Sequence, residues 1–238
     1  MIAWLHSALD LLFPRTCAGC GRPDPEDRRH LCWNCLAEIP FIQPPFCSRC
    51  GDPVAGRVDH AYVCALCAGR VVHFDRARSV ARYDGAVGQA VRELKYHKAV
   101  WVAPDLADLL EAGVRAHYDV GAIDAVAFVP LHPMRRRERG FNQAEILAAH
   151  LARRIHKPLL RRVVARVRFT PTQTKLTLSA RADNVKNAFA PRSTRWLQGR
   201  RILLVDDVMT TGATVNACAE ALKTGGAAEV WVMTVARG

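Results

Sequence analysis

The 238-residue chain lacks any apolar run near the about 20 residues needed to cross a bilayer, so no membrane insertion is expected. Its first segment, MIAWLHSALDLLF, carries Asp10 and has neither a basic head nor a small-residue cleavage site, so it does not read as a secretory leader. Ile2, Leu5, Leu9 and Leu12 share one helical face there and predict a short amphipathic helix docked on the core. No G-x-x-x-x-G-K stretch occurs, which excludes a Walker-type nucleotide loop. Acids are scarce where bases are dense: residues 135–201 hold 18 Lys+Arg against 3 Asp+Glu. Residues 1–70 balance at 7 and 7, so the rest of the chain carries the whole net charge of +12. A basic block of that size predicts an anionic partner, polyphosphate or nucleic acid, more readily than a merely solvated face.

What the first third does have is cysteine. Eight of the nine cysteines form four C-x-x-C knuckles: Cys17 and Cys20, Cys32 and Cys35, Cys47 and Cys50, Cys64 and Cys67. Two thiolates two residues apart grip one tetrahedral ion from a tight turn, and a second knuckle completes the four ligands. Eight ligands predict two closed, structural zinc sites. Sequential pairing (17/20 with 32/35, 47/50 with 64/67) is preferred here, although spacing also permits an interleaved order. A disulfide framework fits poorly without a secretion signal, and a thioredoxin-like site needs one such pair on a βαβ unit, not four in series. With no leader, a cytoplasmic location is expected. Cys218 falls in a helical pattern and reads as a small core residue.

The stretch AGRVVHFDRA marks a boundary near residue 70, dividing a helix and ribbon module (1–70) from the remainder (71–238). Beyond it, strands alternate with helices. ARSVARYD, IDAVAFVP, RILLVDD and EVWVMTVAR read as strands; AVGQAVRELKYH, the segment opened by Pro104, NQAEILAAHLARRIHK and Thr214 to Lys223 read as helices. This pattern predicts an α/β fold with a parallel sheet flanked by helices on both faces. Ligands on such sheets bind beyond the C-terminal ends of the strands. Residues 166–187 have little apolar periodicity and predict a long functional loop.

RILLVDDVMTTGATV places two aspartates at one such strand end, before a small-residue turn and a helix. Backbone N–H groups and hydroxyls of Thr210, Thr211, Gly212, Ala213 and Thr214, aided by the helix N-terminus, suit a monophosphate. Asp206 and Asp207 are placed to hold the hydroxyls of an attached sugar or to help place Mg²⁺. A ribose 5-phosphate would satisfy both features.

LLVDDVMTTGAT resembles the phosphoribosyl pyrophosphate (PRPP) motif of type I phosphoribosyltransferases. The resemblance implies that Asp206 and Asp207 contact the ribose and that residues 210–214 bind its 5′-phosphate, with Mg²⁺ accompanying PRPP. With PLHPMRRRERGFNQA, TPTQTKLTLSARADNVKNAF and the four knuckles, the whole chain resembles the ComF/ComFC family. That family is associated with natural competence and DNA uptake, and it joins a double zinc ribbon to a phosphoribosyltransferase-like domain. The resemblance implies a type I phosphoribosyltransferase-like fold, an affinity for PRPP and a partnership with a competence helicase. For leaving pyrophosphate, the LHPMRRRERG loop offers Arg135, Arg136, Arg137 and Arg139, with Arg139 beside Gly140 the first choice; His132 reads as structural. Lys175 and Arg181 lie on the segment resembling the family's flexible catalytic loop. No residue pattern specifies an acceptor, and no cysteine follows Met1 to serve as an amidotransferase nucleophile. Three readings compete: a PRPP-binding protein that also contacts single-stranded DNA, a non-catalytic DNA-handling factor on the same scaffold, and a nucleotide-salvage transferase without a DNA role. Trp33, Tyr96 and Phe141 are candidates for base stacking, with a place in the core expected for each.

Overall fold

The computed structural model describes residues 16–23, 29–58, 60–168 and 187–238. The expected helix over residues 2–12, and Lys175 and Arg181, lie outside the described residues. Four strands form a parallel sheet in the order β1 (Arg76–Arg82), β6 (Glu229–Arg237), β5 (Arg201–Met209), β2 (Ala125–Phe128). The interior strands β5 and β6 are buried on both faces, which is why they read as continuous apolar runs and not as alternating patterns.

Alternation along β5 sorts the two core layers. Leu203 and Val205 face α3 (Gly85–Tyr96), α4 (Ala103–His117) and α6 (Gln143–Arg154), through Leu94, Leu106, Leu110, Leu147 and Leu151. Ile202 and Leu204 face α7 (Ala213–Thr224) and the small antiparallel pair β3 (Val164–Arg166) and β4 (Phe189–Pro191). Helices therefore cover both faces, as the sequence pattern predicts. Cys218 of α7 is buried in the second layer, and burial pushes its thiol pKa up. Among the described residues, no helix is long and apolar enough to cross a membrane.

Two elements differ from expectation. The strand carrying the aspartates continues to Met209, so Asp206 and Asp207 lie inside β5 and not at its last position. The arginine-rich LHPMRRRERG segment is a helix, α5 (Pro133–Arg139), where a loop was expected. Its signals were local: His132 caps it by accepting from the Met134 N–H, Pro133 fills the first turn, and Gly140 closes it at φ +89°. None of its residues is buried, so no apolar stripe betrayed it.

Among the described residues, the cysteine-rich region has two short helices, α1 (Trp33–Ala37) and α2 (Ala65–Ala68), and no core of its own. Cys17, Leu31, Cys35 and Ile39 belong to the layer of α3 and α4, and Cys47, Cys50 and Cys67 to the other. It also covers the open edge of β1. Ile42 N–H donates to Val80 O (2.9 Å), Arg82 N–H to Pro40 O (3.0 Å) and Ala77 N–H to Arg49 O (2.7 Å). Those bonds occupy a strand edge that would otherwise invite pairing with another chain.

Candidate functional site

The site begins with strand alternation. Asp206 continues the Ile202–Leu204 row and faces α7; Asp207 continues the Leu203–Val205 row and faces α3. Both are buried, which for adjacent carboxylates is costly unless something compensates. Asp207 meets Lys95 of α3, whose Nζ lies 2.8 Å from Oδ1. Its other oxygen, Oδ2, is buried without a hydrogen-bond partner among the described residues. Asp206 accepts only the neighbouring Asp207 N–H (2.9 Å) among the described hydrogen bonds, with the Arg166 charge acting on it from β3. Burial, reinforced by the Asp207 charge, pushes the Asp206 carboxyl up to about 8. Burial alone would lower the Lys95 pKa, but the Asp207 carboxylate outweighs it and holds the ammonium charged.

Lys95 carries an ordinary sequence signal that charge-counting missed. It stands four residues after Val91 on the apolar stripe of α3, so a lysine there points inward. Lys95→Ala is expected to lower stability by about 3 kcal/mol or more, because it leaves a buried carboxylate uncompensated. Denaturant unfolding measures this, and a change under ~0.5 kcal/mol, the scale of an ordinary surface substitution, would argue against the pair as a structural tie.

The turn follows directly. Gly212 sits at φ +76° as the N-cap of α7, and a Cβ there would lie 3.2 Å from Arg70 Nη2 and 3.5 Å from the Met209 sulfur. The position therefore requires glycine on conformational grounds, and the space is tight as well. Arg70 donates to Thr211 O (2.8 Å), and the Thr211 hydroxyl accepts from Ala213 N–H at 3.3 Å. The N-cap Gly212 has no side chain to cap α7, which leaves first-turn amides beyond Ala213 N–H for an anion. Thr210 is exposed at the tip, and Thr214 lies half-buried in the first helical turn. Asn216 ties this helix to the ribbon side, accepting from His73 N–H (2.7 Å) and donating to Val71 O (3.1 Å).

The α5 arginines diverge. Arg139 donates to Gln143 Oε1 and lies 5.7 Å from the Tyr96 ring, next to Lys95 in the chain. Arg136 turns to Glu145 (3.5 Å) and Arg135 to Glu138 (3.2 Å). Two of the three aromatic residues placed in the core are instead on the surface: Trp33 is 64% and Tyr96 67% exposed, while Phe141 packs partly buried. Both exposed rings have an arginine over them, Arg29 at 4.8 Å from Trp33 and Arg139 over Tyr96, and an amphipathic ring so covered does not need the core.

The eight cysteines form two four-thiolate zinc sites, Cys17, Cys20, Cys32 and Cys35, then Cys47, Cys50, Cys64 and Cys67; within each, the sulfurs lie within 4.8 Å of one another. Pairing is sequential. Backbone N–H groups of Gly19 and Cys32 donate to Cys17 Sγ (3.3 Å each), and Cys64 N–H donates to Cys47 Sγ (3.4 Å), bonds that favour thiolates. The first site is docked through Asp105 of α4, which accepts from His30 N–H (2.7 Å) and Leu31 N–H (2.8 Å). The second is docked by Arg237, at the end of β6, which donates to Cys50 O (2.9 Å) and Asp52 (2.6 Å).

The double zinc ribbon domain family matches residues 8–71 and the phosphoribosyl transferase domain family residues 140–238. "Competence protein F" of Haemophilus influenzae is 32% identical over 87% of this chain and 90% of its own length. "DNA utilization protein YhgH" of Salmonella typhi is 34% identical over 87% of this chain and 96% of its own. "Competence protein ComFC" of Bacillus subtilis is 28% identical over 87% and 84%. With a double zinc ribbon built from all four knuckles, set against a parallel phosphoribosyltransferase-type sheet, the chain belongs to the ComF/ComFC family of competence proteins.

Proposed function

We propose that this protein binds PRPP at the C-terminal end of β5, transfers or senses the phosphoribosyl group, and contacts single-stranded DNA through its basic face during DNA uptake. One observation carries the reading: a buried acidic pair precedes a helix N-terminus whose N-cap is a left-handed glycine with no side chain to offer. Asp206 and Asp207 accept the ribose hydroxyls, and the orphaned Asp207 Oδ2 is the oxygen with lone pairs to offer. Residues 210–214 hold the 5′-phosphate. The donor set also fits Mg²⁺, a hard cation served by carboxylate oxygens; when bound with PRPP it would neutralise pyrophosphate charge. Arg139 is the α5 residue offered to pyrophosphate, joined by Lys175 and Arg181 of the 166–187 segment. Departure of pyrophosphate leaves an electron-poor C1, and water must be excluded until an acceptor attacks.

The DNA part rests on the basic block and on exposed rings beside arginine. Trp196 lies inside that block, 45% exposed, with Arg195 at 5.0 Å. Aromatic platforms and guanidinium groups suit unpaired bases and their backbone. The charge-neutral ribbon is better suited to a protein partner, a competence helicase being the one the family relationship suggests.

Calorimetric titration of PRPP with Mg²⁺ is expected to give saturable one-site binding. Affinity for single-stranded DNA is expected to fall ~10-fold or more between about 50 and 200 mM salt, as phosphate contacts release counterions. DNA binding without PRPP binding would instead leave a DNA-handling factor on an inherited scaffold. PRPP binding without DNA binding would leave a salvage enzyme.

A further inference from the structure

A cleft of about 360 Å³ opens between the end of β2, the start of α6 and the β3–β4 pair. It contains Arg136, Arg161, Arg162, Arg166 and Arg192 and one carboxylate, Glu145. Glu145 is divided between Arg136 Nη2 and Arg161 Nε, each 3.5 Å away, so each guanidinium keeps other N–H groups for a ligand. Arg162 and Arg192 are exposed and make no ion pair among the described residues. Arg166, 5.5 Å from the Phe189 ring, is a half-buried wall, and its charge acts on Asp206, so the cleft adjoins the acidic pair. The remaining lining is mostly apolar, with Phe128, Leu131 and Val164 beside one amide, Asn142.

We infer that this cleft is a second anion subsite that takes a phosphomonoester carried on a flat, largely apolar body, the chemistry of a nucleoside 5′-monophosphate. The cationic excess exceeds what one carboxylate would need, and arginine matches a phosphate dianion with paired N–H donors. The volume falls within the about 300–1,000 Å³ of small-molecule sites. It is distinct from the pyrophosphate position proposed above, because Arg139 leans the other way, to Tyr96, while Arg136 faces the cleft. The affinity of the cleft for phosphomonoesters stands on its own lining and does not rest on the phosphoribosyl reading. The phosphate has two sources, a free nucleotide or the 5′ end of a strand.

The test compares dTMP with thymidine, and a short 5′-phosphorylated oligo-dT with its 5′-hydroxyl form, on the full chain by calorimetry. Charge-assisted contacts predict at least ~10-fold preference for the phosphorylated ligand in one or both pairs. The pair showing it identifies the source. The surface double variant Arg162→Ala, Arg192→Ala is expected to reduce that preference to under ~2-fold, while Arg153→Ala, exposed in the same basic block outside the cleft, keeps it. Repeating the titration with saturating PRPP and Mg²⁺ separates the sites: preference persists if the cleft is a second subsite. No preference in either pair, an undiminished preference in the double variant, or competitive loss with PRPP each overturns the inference. Absence of PRPP binding with the preference intact removes the phosphoribosyl reading and leaves the cleft.

Discussion

Stripping zinc with a strong chelator is expected to unfold the ribbon and to loosen the sheet with it. Metal binding to a structural four-thiolate site is worth on the order of 10 kcal/mol, comparable with the whole stability of a domain. Here the loss cannot stay local, because cysteines of both sites sit in the two apolar layers and the ribbon covers the β1 edge. The two sites are expected to empty in order. Cys20 is exposed and Cys32 half-buried in the first, whereas all four ligands of the second are buried. A metallochromic dye should therefore record two phases of release, with thermal unfolding falling mainly in the second. The second site also reaches the turn at 210–214 and the helix after it, through Arg70 to Thr211 and through the His73 and Val71 bonds to Asn216. Cys64→Ser is thus expected to cost more PRPP affinity than Cys20→Ser. A chain that keeps its melting temperature after complete zinc removal would contradict this account.

Asp206→Asn with Asp207→Asn is expected to lose PRPP binding by ~10–10³-fold, since a hydrogen bond to the charged Asp207 contributes roughly 1.5–3 kcal/mol and one to the neutral Asp206 roughly 0.5–1.5 kcal/mol. Retention within about three-fold would remove the ribose role from the pair, since that is under 1 kcal/mol. The single variants should move stability in opposite directions. Asp207→Asn leaves Lys95 buried without its counter-charge and destabilises, as Lys95→Ala does from the other side. Asp206 stays protonated in the folded protein up to about pH 8. In the unfolded chain it ionises near pH ~4. Between those values the folded state holds the extra proton, so its contribution is full below about pH 4 and is lost as pH rises through about 8. Asp206→Asn removes that slope and stabilises the ligand-free protein on the order of 1–3 kcal/mol at pH 8, with little change near pH 4. Melting curves of both proteins across this window measure it. A steeper decline in the variant would assign the slope to another group.

How much could be read in advance follows from where each feature's information is stored. The knuckles are legible because two ligands of each zinc site are two residues apart, so the chemistry is written locally. The turn at 210–214 is legible for the same reason: glycine, threonines and a helix start occur in one stretch. Helix α5 escaped because it buries nothing, and its marks are confined to its ends, a histidine cap and a proline at the start and a glycine at the close. Trp33 and Tyr96 were misplaced because an arginine lying over a ring is a tertiary contact with no fixed spacing.

By itself, then, the sequence determined the eight cysteine ligands, the alternation of the four main strands with their helices, and an acidic pair followed by a small-residue turn. All of these are set by neighbours within about one supersecondary unit, where side-chain period and ligand spacing suffice. Only the tertiary structure decided that Lys95 meets Asp207, that Arg70 of the ribbon side holds the turn, and that five arginines from separate segments share one cleft. Lys95 and Asp207 stand more than a hundred residues apart, and no local periodicity encodes such a meeting; packing of α3 against the sheet brings it about.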